Sequence, residues 1–518
     1  MVEIPTQYNA SLVLDQNLEA GRGGKVAIAC GDDQVTYRDL MARVCRFAGA
    51  LRGLGVRRED RIVMVLNDTP AFPAVFYGAL RIGAVPVPAN PLLRWEDHRY
   101  FIADSYARAV VADAEHLDKV RQALDGLAEP VTLIVANGRA DQALALQDLL
   151  ASGHDELPPA PTHRDDIAFF LYSSGSTGLP KGVVHLHHDI LYTCETYARH
   201  VLQLTASDIT YSAAKLFHAY GLGNNMTFPY WAGATTVLVP ARAAPQPVLE
   251  TIQRYRPTVF FGVPTLYNAI LNFPDRARYD LSSVRLCVSA AEALPAEIWR
   301  RWKEAFGLMI LDGIGTTEML HIFASNTPEA LRPGSSGKPV PGYEVKIVDD
   351  EGNPVAPGGA GHLMVKGDSA APYYWHFHEK SKATMAGEWM RTGDWYRMDQ
   401  EGFLWYEGRS DDMLKVGGLW VSPIEVENVL IEHPAVLEAA VVGIPVEGLT
   451  KMKAFVILRQ GQVGSPALAT ELQEWCKTKL ERYEYPQLVE FVADLPRTVT
   501  GKIQRFKLRQ AETAPASS

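Results

Sequence analysis

Residues 172–182 read Tyr172-Ser-Ser-Gly-Ser-Thr-Gly-Leu-Pro-Lys181-Gly182, with an apolar run on either side. Glycine lets a backbone approach a ligand closely and turn its N–H groups toward it. Such N–H groups, with hydroxyls and a lysine, form a cradle for phosphate oxygens. The preceding run, Ile167-Ala-Phe-Phe-Leu-Tyr172, reads as a buried strand. The chain is therefore expected to fold around a strand feeding a loop that holds a nucleoside triphosphate. Ser173, Ser174, Gly175, Ser176, Thr177, Gly178 and Lys181 are the candidate phosphate contacts. This is not the common P-loop. Counted from Gly175 the lysine falls in place, but Pro180 replaces the second glycine and Gly182 the metal-binding hydroxyl.

At 518 residues the chain is too long for one simple core, so two or more domains are expected. A net charge of -10 argues against a general nucleic-acid binder. No apolar run reaches the roughly 18 residues of a membrane span, so no membrane partner is expected. Met1-Val-Glu-Ile-Pro-Thr6 lacks the basic-then-apolar order of a secretory signal. Cys30, Cys45, Cys194, Cys287 and Cys476 are scattered, which suggests a reducing compartment, the cytoplasm, and no metal knuckle.

Helical and strand patterns alternate through the first half. Tyr37 to Leu54 and Phe76 to Ile82 read as helices. Arg61 to Leu66, Val85 to Val87, Val131 to Ala136, Ala234 to Val239, Thr258 to Gly262 and Val284 to Ser289 read as strands. This alternation predicts an α/β class, with helix-covered, largely parallel sheets in a large N-terminal domain. Gly361 to Lys366 and Gly402 to Tyr406 read as strands of a small β unit. Beyond it, Ile424 to Ile431 and Leu472 to Leu480 read as helices, and Ala439 to Gly443 and Lys453 to Leu458 as strands. The expected boundary is the polar Gly408-Arg-Ser-Asp-Asp412. It divides residues 1–409 from a small, mobile α+β C-terminal domain at 410–518. His185, His187 and His188 lack metal-site spacing and are expected on a helix face. Tyr373-Tyr-Trp-His-Phe377 is expected to be a packed surface segment over the active-site side.

Five elements then occur in order: Ser173 to Gly182; Gly315-Thr-Thr-Glu318; Arg391-Thr-Gly-Asp394; Gly408-Arg-Ser-Asp-Asp-Met-Leu-Lys415; and Pro496-Arg-Thr-Val-Thr-Gly-Lys502. Together they resemble the adenylate-forming ligases, which include acyl-CoA synthetases, peptide-synthetase adenylation domains and luciferases. The resemblance implies that a carboxylate attacks the α-phosphate of ATP, giving an acyl adenylate and pyrophosphate. It implies Glu318 as the Mg2+-associated acid and Thr316 and Thr317 as hydroxyls toward the α-phosphate. Asp394 and Arg409 would meet the ribose. Adenine would lie against Ala291, Glu292, Ala293, Asp312 and Gly313. Lys502 is the implied catalytic cation, bridging carboxylate and α-phosphate. Asp411 is the implied hinge, about which the small domain rotates to bring Lys415, Gly417 and Gly418 to a coenzyme A tunnel.

Lys215-Leu-Phe-His-Ala-Tyr-Gly-Leu-Gly223 corresponds to the acyl-pocket motif of that family. It resembles benzoate-CoA and hydroxybenzoate-CoA ligases, as do Gly262-Val-Pro-Thr-Leu-Tyr267 and Glu318-Met-Leu-His-Ile322. Phe217, His218, Ala219, Tyr220, Gly315 and Ile322 are the candidate aryl pocket, with Tyr220 and Ile322 flanking the ring. Those ligases usually carry Phe where this chain has His218. A polar imidazole there points to a hydroxyl- or amino-bearing benzoate, with plain benzoate the alternative. The expected activity is an AMP-forming aryl-CoA ligase using ATP, Mg2+ and coenzyme A, as a monomer or homodimer. The alternative is an aryl-acid adenylating enzyme that loads a carrier-protein thiol on a separate chain.

Overall fold

The computed structural model describes residues 2–173, 179–410, 412–416, 419–446, 449–481, 484–497 and 503–513. Short apolar runs that are buried along most of their length become parallel strands covered by helices, because neither face meets water. Arg61–Val65 is one of them. It lies in a five-stranded sheet ordered Val85–Pro88, Arg61–Val65, Ala107–Asp113, Thr132–Ala136 and Leu144–Ala145, with every pair parallel. A second sheet has nine strands. Its six central strands, Ile310–Gly315, Leu286–Ser289, Val259–Gly262, Ile209–Ser212, Thr235–Val237 and Val26–Cys30, are parallel. Both of its edges are closed by antiparallel strands.

The first long helix spans Tyr37–Gly53, close to expectation. Thr36 starts it by accepting from the Asp39 N–H at 3.2 Å, and Asp39 returns a bond to the Thr36 N–H. The next helix spans Ala71–Arg81, beginning earlier than its apolar pattern showed. Pro73 lies in its first turn, where a missing N–H costs no helical bond. The two helices pack so closely that a Cβ on Gly78 would lie 2.8 Å from the Phe47 ring.

Five antiparallel strands follow, Glu344–Val348, Ala360–Lys366, Met385–Ala386, Trp389–Met398 and Leu404–Arg409, forming the small β unit. Residues from Leu414 onward pack a core of their own around Val426, Val441 and Leu472. Its strands run longer than expected, Val436–Val446 and Leu449–Leu458. Its second helix is Pro466–Lys477, earlier than the predicted Leu472 to Leu480. Ser465 caps it by accepting from the Leu468 N–H, and Pro466 sits at the first helical position. Among the described residues no helix is long and apolar enough to cross a membrane.

Candidate active site

The phosphate-loop strand departs from the parallel pattern. Ile167–Ser173 pairs antiparallel with Lys181–Leu186, and Ser173 stands opposite Lys181. Lys181 thus leaves the loop on a strand. Its ammonium lies 4.3 Å over the ring of Tyr374. Burial pushes the Lys181 ammonium down, Glu318 opposes this, and the charges of Lys380 and Arg409 add to the lowering.

A hairpin supplies the acid. Ile310–Gly315 returns as Ile322–Ser325, and Thr316 to His321 make the turn. The turn needs Leu320 in the left-handed region, at φ 63°. Thr316 Oγ1 accepts from the Met319 N–H at 3.1 Å, closing the turn on itself. Tyr374 donates its hydroxyl to Glu318 Oε1 at 2.7 Å. Lys181 and Glu318, far apart in the chain, therefore flank one aromatic ring. That ring is buried while Tyr373 and His376 beside it are exposed, so Tyr373 to Phe377 is a packed surface segment, as expected, and it lies over Lys181 and Glu318. The segment lies along the Lys181–Leu186 strand, with Trp375 donating its N–H to the Gly182 carbonyl at 2.7 Å.

Of the three histidines, His187 and His188 lie in the helix His187–Thr193, as expected, and His185 does not. His185 belongs to the same strand as Lys181 and is fully buried. Its Nε2 donates to the Thr317 carbonyl at 2.9 Å, and its Nδ1 lies 2.8 Å from Asp189 Oδ2. The strand that carries the lysine thus also holds the turn that carries Glu318. His187 is buried in the first turn of the next helix, and its Nδ1 accepts from the Ala10 N–H. Among the described residues no group of three or more His, Cys, Asp or Glu is placed to hold a metal.

The small β unit brings a further charged pair to this centre, with Arg409 among the charges acting on Lys181. Asp394 and Arg409 face each other across two strands and pair at 2.9 Å. Gly393 has φ 79°, and a Cβ there would stand 3.1 Å from the Arg409 guanidinium. Asp312 lies in the hairpin strand, and burial pushes its carboxyl well above the usual range. Its Oδ2 accepts from the Leu294 N–H at 3.4 Å, the Ser289 hydroxyl lies close to the carboxyl, and its buried Oδ1 makes no geometric hydrogen bond among the described residues. Gly313 follows Asp312 in that strand. Ala291 sits at φ 78°, a conformation alanine rarely adopts, between Ala290 and Glu292-Ala293. Backbone held in that region marks a site where the fold over-determines local geometry.

The acyl-pocket motif begins the short helix Ala219–Leu222. Phe217 and His218 lie with ring centroids 4.5 Å apart and planes tilted by 57°. Tyr220 donates its hydroxyl to the Gly262 carbonyl at 3.2 Å and lies against His321. His321 is buried, and burial lowers its imidazole to about 3. It is therefore neutral, and its Nε2 donates to Asn224 Oδ1 at 3.1 Å. Gly223 makes room for it: a Cβ there would sit 2.4 Å from His321 Cδ2. Ile322 is buried directly after it. His321 and Asn224 were not named from the sequence as pocket residues. The one trace of them was the Glu318-to-Ile322 motif, in which His321 stands.

This pocket is anchored to the first sheet by Asp68, whose Oδ1 accepts from the Leu216 N–H at 3.1 Å. Burial pushes the Asp68 carboxyl up to about 6, against the pull of Lys215 and of the Leu216 N–H. Between 3.8 and about 6 the folded chain holds this proton and the unfolded chain does not. Stability contributed here is present at low pH and falls as pH rises through that window, by about 3 kcal/mol for such a shift. Asp68→Asn keeps the acceptor and cannot ionise. Its stability relative to the parent is expected to improve between pH 4.5 and pH 7, measured by urea unfolding. Parallel pH curves for the two proteins would refute the assignment.

Several predicted residues lie outside the described residues: Ser174, Gly175, Ser176, Thr177, Gly178, Asp411, Gly417, Gly418 and Lys502. Lys415 lies in the strand Leu414–Val416. Ser173 closes its strand with a buried Oγ that has no hydrogen-bond partner among the described residues.

The model of the AMP-binding enzyme family matches residues 14–375, and that of the AMP-binding enzyme C-terminal domain matches residues 425–502. The benzoate–CoA ligase of Thauera aromatica is 48% identical over 98% of this chain and 97% of its own. A crystal structure of an anthranilate CoA ligase in complex with anthranoyl-AMP superposes with TM-score 0.94 at 45% identity, covering 98% of each chain. A benzoate CoA ligase from Burkholderia xenovorans LB400 superposes with TM-score 0.90 at 46% identity, covering 97% of this chain and 100% of the other.

Proposed function

Because the chain belongs to the AMP-binding enzyme family, we propose that it is an ATP-dependent aryl-CoA ligase. It activates benzoate or a hydroxy- or amino-substituted benzoate as an aryl adenylate and transfers the acyl group to coenzyme A. One observation carries this reading. A single hairpin, Ile310–Gly315 to Ile322–Ser325, bears Asp312 for adenine, Glu318 for the phosphates and Ile322 for the aromatic ring. Nucleotide and acid are thereby brought to one edge of one sheet.

The reaction joins two anions, so positioning and charge neutralisation dominate its barrier. Lys181, with the residues of the loop before it, takes the phosphates. Asp394 accepts from the ribose hydroxyls, because an ionised carboxylate has acceptor sites for both. Arg409 holds that carboxylate in place. Asp312 Oδ1, which makes no geometric hydrogen bond among the described residues, is an acceptor for the exocyclic amine of adenine. Glu318 fits Mg2+. It is a hard oxygen donor whose Oε2 has no hydrogen bond among the described residues, and Thr316 and Thr317 stand on the same turn. When bound, the ion offsets phosphate charge. Lys502 neutralises the charge that develops between carboxylate and α-phosphate.

The division between residues 409 and 410, with rotation about Asp411, then exchanges Lys502 for the Lys415-to-Gly418 segment between half-reactions. The enzyme works in the cytoplasm as a monomer or homodimer on free small molecules. Transfer to a carrier-protein thiol is the second reading, since it shares every adenylation step.

The test is pyrophosphate exchange into ATP over a panel of aryl acids, with AMP release measured with and without coenzyme A. Exchange that requires an aryl acid, and turnover that requires coenzyme A, are expected. Release of ADP, or no exchange with any aryl acid, ends the proposal. His218→Phe is expected to shift preference from hydroxy- and aminobenzoates toward benzoate by roughly tenfold, since an unmatched buried polar group costs about 1–3 kcal/mol. An unchanged ratio of kcat/KM values would remove His218 from specificity.

A further inference from the structure

Tyr374 has no role in the sequence reading beyond the aromatic segment Tyr373 to Phe377, yet it touches both charged groups of the proposed phosphate centre. Its hydroxyl donates to Glu318 Oε1 at 2.7 Å, and its ring face lies beneath Lys181 Nζ at 4.3 Å. The ring is 3% exposed, packed with Val183 and Ala371. Its backbone is pinned from three sides. Tyr374 pairs with Val183 across the strands, its N–H donates to Ser381 Oγ at 2.9 Å, and the Trp375 N–H donates to the Gly182 carbonyl. The Glu318 turn is tied to the same segment, because Ala371 donates its N–H to the Glu318 carbonyl at 2.7 Å. Among the described residues no ion pair joins Lys181 to Glu318, although the Glu318 charge opposes the lowering of the Lys181 ammonium by burial.

A lysine and a glutamate in a half-buried site attract each other strongly. If they met, the ammonium would be neutralised before phosphate arrived, and the carboxylate would be lost to a cation. An aromatic ring between them satisfies both without letting them meet. Its quadrupole face holds the ammonium, and its hydroxyl holds one carboxylate oxygen, leaving the other open. Burial raises the phenol far above its ordinary value, with the Glu318 charge adding to it, so the hydroxyl remains a donor across the working pH range.

We propose that Tyr374 is a positioning residue that keeps Lys181 and Glu318 apart, so that the first receives phosphate and the second receives the divalent cation. This rests on the ligase reading above for what the two groups bind. Two substitutions separate its two contacts. Tyr374→Phe keeps the ring under Lys181 and removes the bond to Glu318. Tyr374→Leu removes both.

The experiment is calorimetric titration of the whole protein with a non-hydrolysable ATP analogue, with and without Mg2+, together with Mn2+ binding followed by electron paramagnetic resonance. Tyr374→Phe is expected to weaken Mn2+ binding in the presence of nucleotide about tenfold and to leave metal-free nucleotide binding within twofold. Tyr374→Leu is expected to weaken metal-free binding about tenfold as well, because Lys181 then closes on Glu318. In kinetics, KM for MgATP rises and KM for the aryl acid does not. In a Glu318→Gln background, Tyr374→Phe is expected to have no further effect on the metal. Variants that melt earlier but match the parent in metal and nucleotide affinity would overturn the proposal and leave Tyr374 a packing residue. A parent protein that binds no nucleotide would overturn the ligase reading instead, and this role with it.

Discussion

Replacing Lys502 by alanine is expected to slow aryl-adenylate formation by about 10²–10³-fold, the usual loss when one preorganised charge-stabilising group is removed. Thioester formation from supplied aryl adenylate is expected to stay within threefold of the parent. The asymmetry follows from the chemistry. Adenylation brings a carboxylate against a triphosphate, and a compact ammonium is most valuable where those charges meet. Thiol attack on the finished mixed anhydride no longer has that problem. Rates of pyrophosphate exchange and of single-turnover thioester formation measure the two halves separately. Equal losses in both would show that Lys502 supports the fold or the nucleotide site in general, and would remove the reason for a rotating C-terminal unit.

Gly315→Ala is expected to lower kcat/KM for adenylation about a hundredfold, although it adds one methyl group. A Cβ at Gly315 would lie 2.4 Å from the His321 carbonyl oxygen and 2.8 Å from the Ile322 nitrogen. These are backbone atoms of the opposing strand and cannot rotate aside. The hairpin must part at its existing irregularity between Ile314 and Gly315. Glu318 and Ile322 then move together, and a displacement of about 1 Å at a reacting centre can cost roughly 10²-fold. Overpacking of this kind also costs about 1–3 kcal/mol of stability. Gly49→Ala is the control. It lies in the helix Tyr37–Gly53 with nothing within 4 Å of its added Cβ, so it is expected to hold activity and gain slightly in stability. Thermal melts and steady-state kinetics of the two variants decide the matter. Parental kinetics in Gly315→Ala would show that the hairpin tolerates spreading and does not align the two substrates.

Legibility followed the range of the signal. Val259–Gly262 and Leu286–Ser289 were visible because a buried strand is apolar along its whole length. Tyr37–Gly53 was visible because its apolar face repeats at helical spacing. Boundaries were less legible where caps outweighed periodicity, as at Pro466–Lys477, which starts at a capping Ser465 before its apolar positions begin. The hairpin strand Ile310–Gly315 is weakened as a strand signal by two glycines, and those glycines are what let Ile322–Ser325 approach it.

The candidate site divided in the same way. Asp394 and Arg409 stood out as members of short local patterns, and the structure pairs them. Tyr374 and His185 did not, because neither belongs to a pattern that encodes its partner. An aromatic run at 373–377 says nothing of a lysine on another strand, and a histidine-rich stretch after the loop says nothing of the Thr317 carbonyl.

From residue order came the expected chemistry: a loop suited to phosphate, a set of acids and cations resembling that of the adenylate-forming ligases, and an alternation requiring helix-covered sheets. These are properties of neighbouring residues, and neighbours are what a linear chain specifies. Only the tertiary structure decided that the strands on either side of the 174–178 loop pair antiparallel, that one hairpin carries Asp312, Glu318 and Ile322, and that a phenol stands between Lys181 and Glu318. Such contacts join segments far apart in the chain, and they exist only once burial and backbone pairing have brought those segments together.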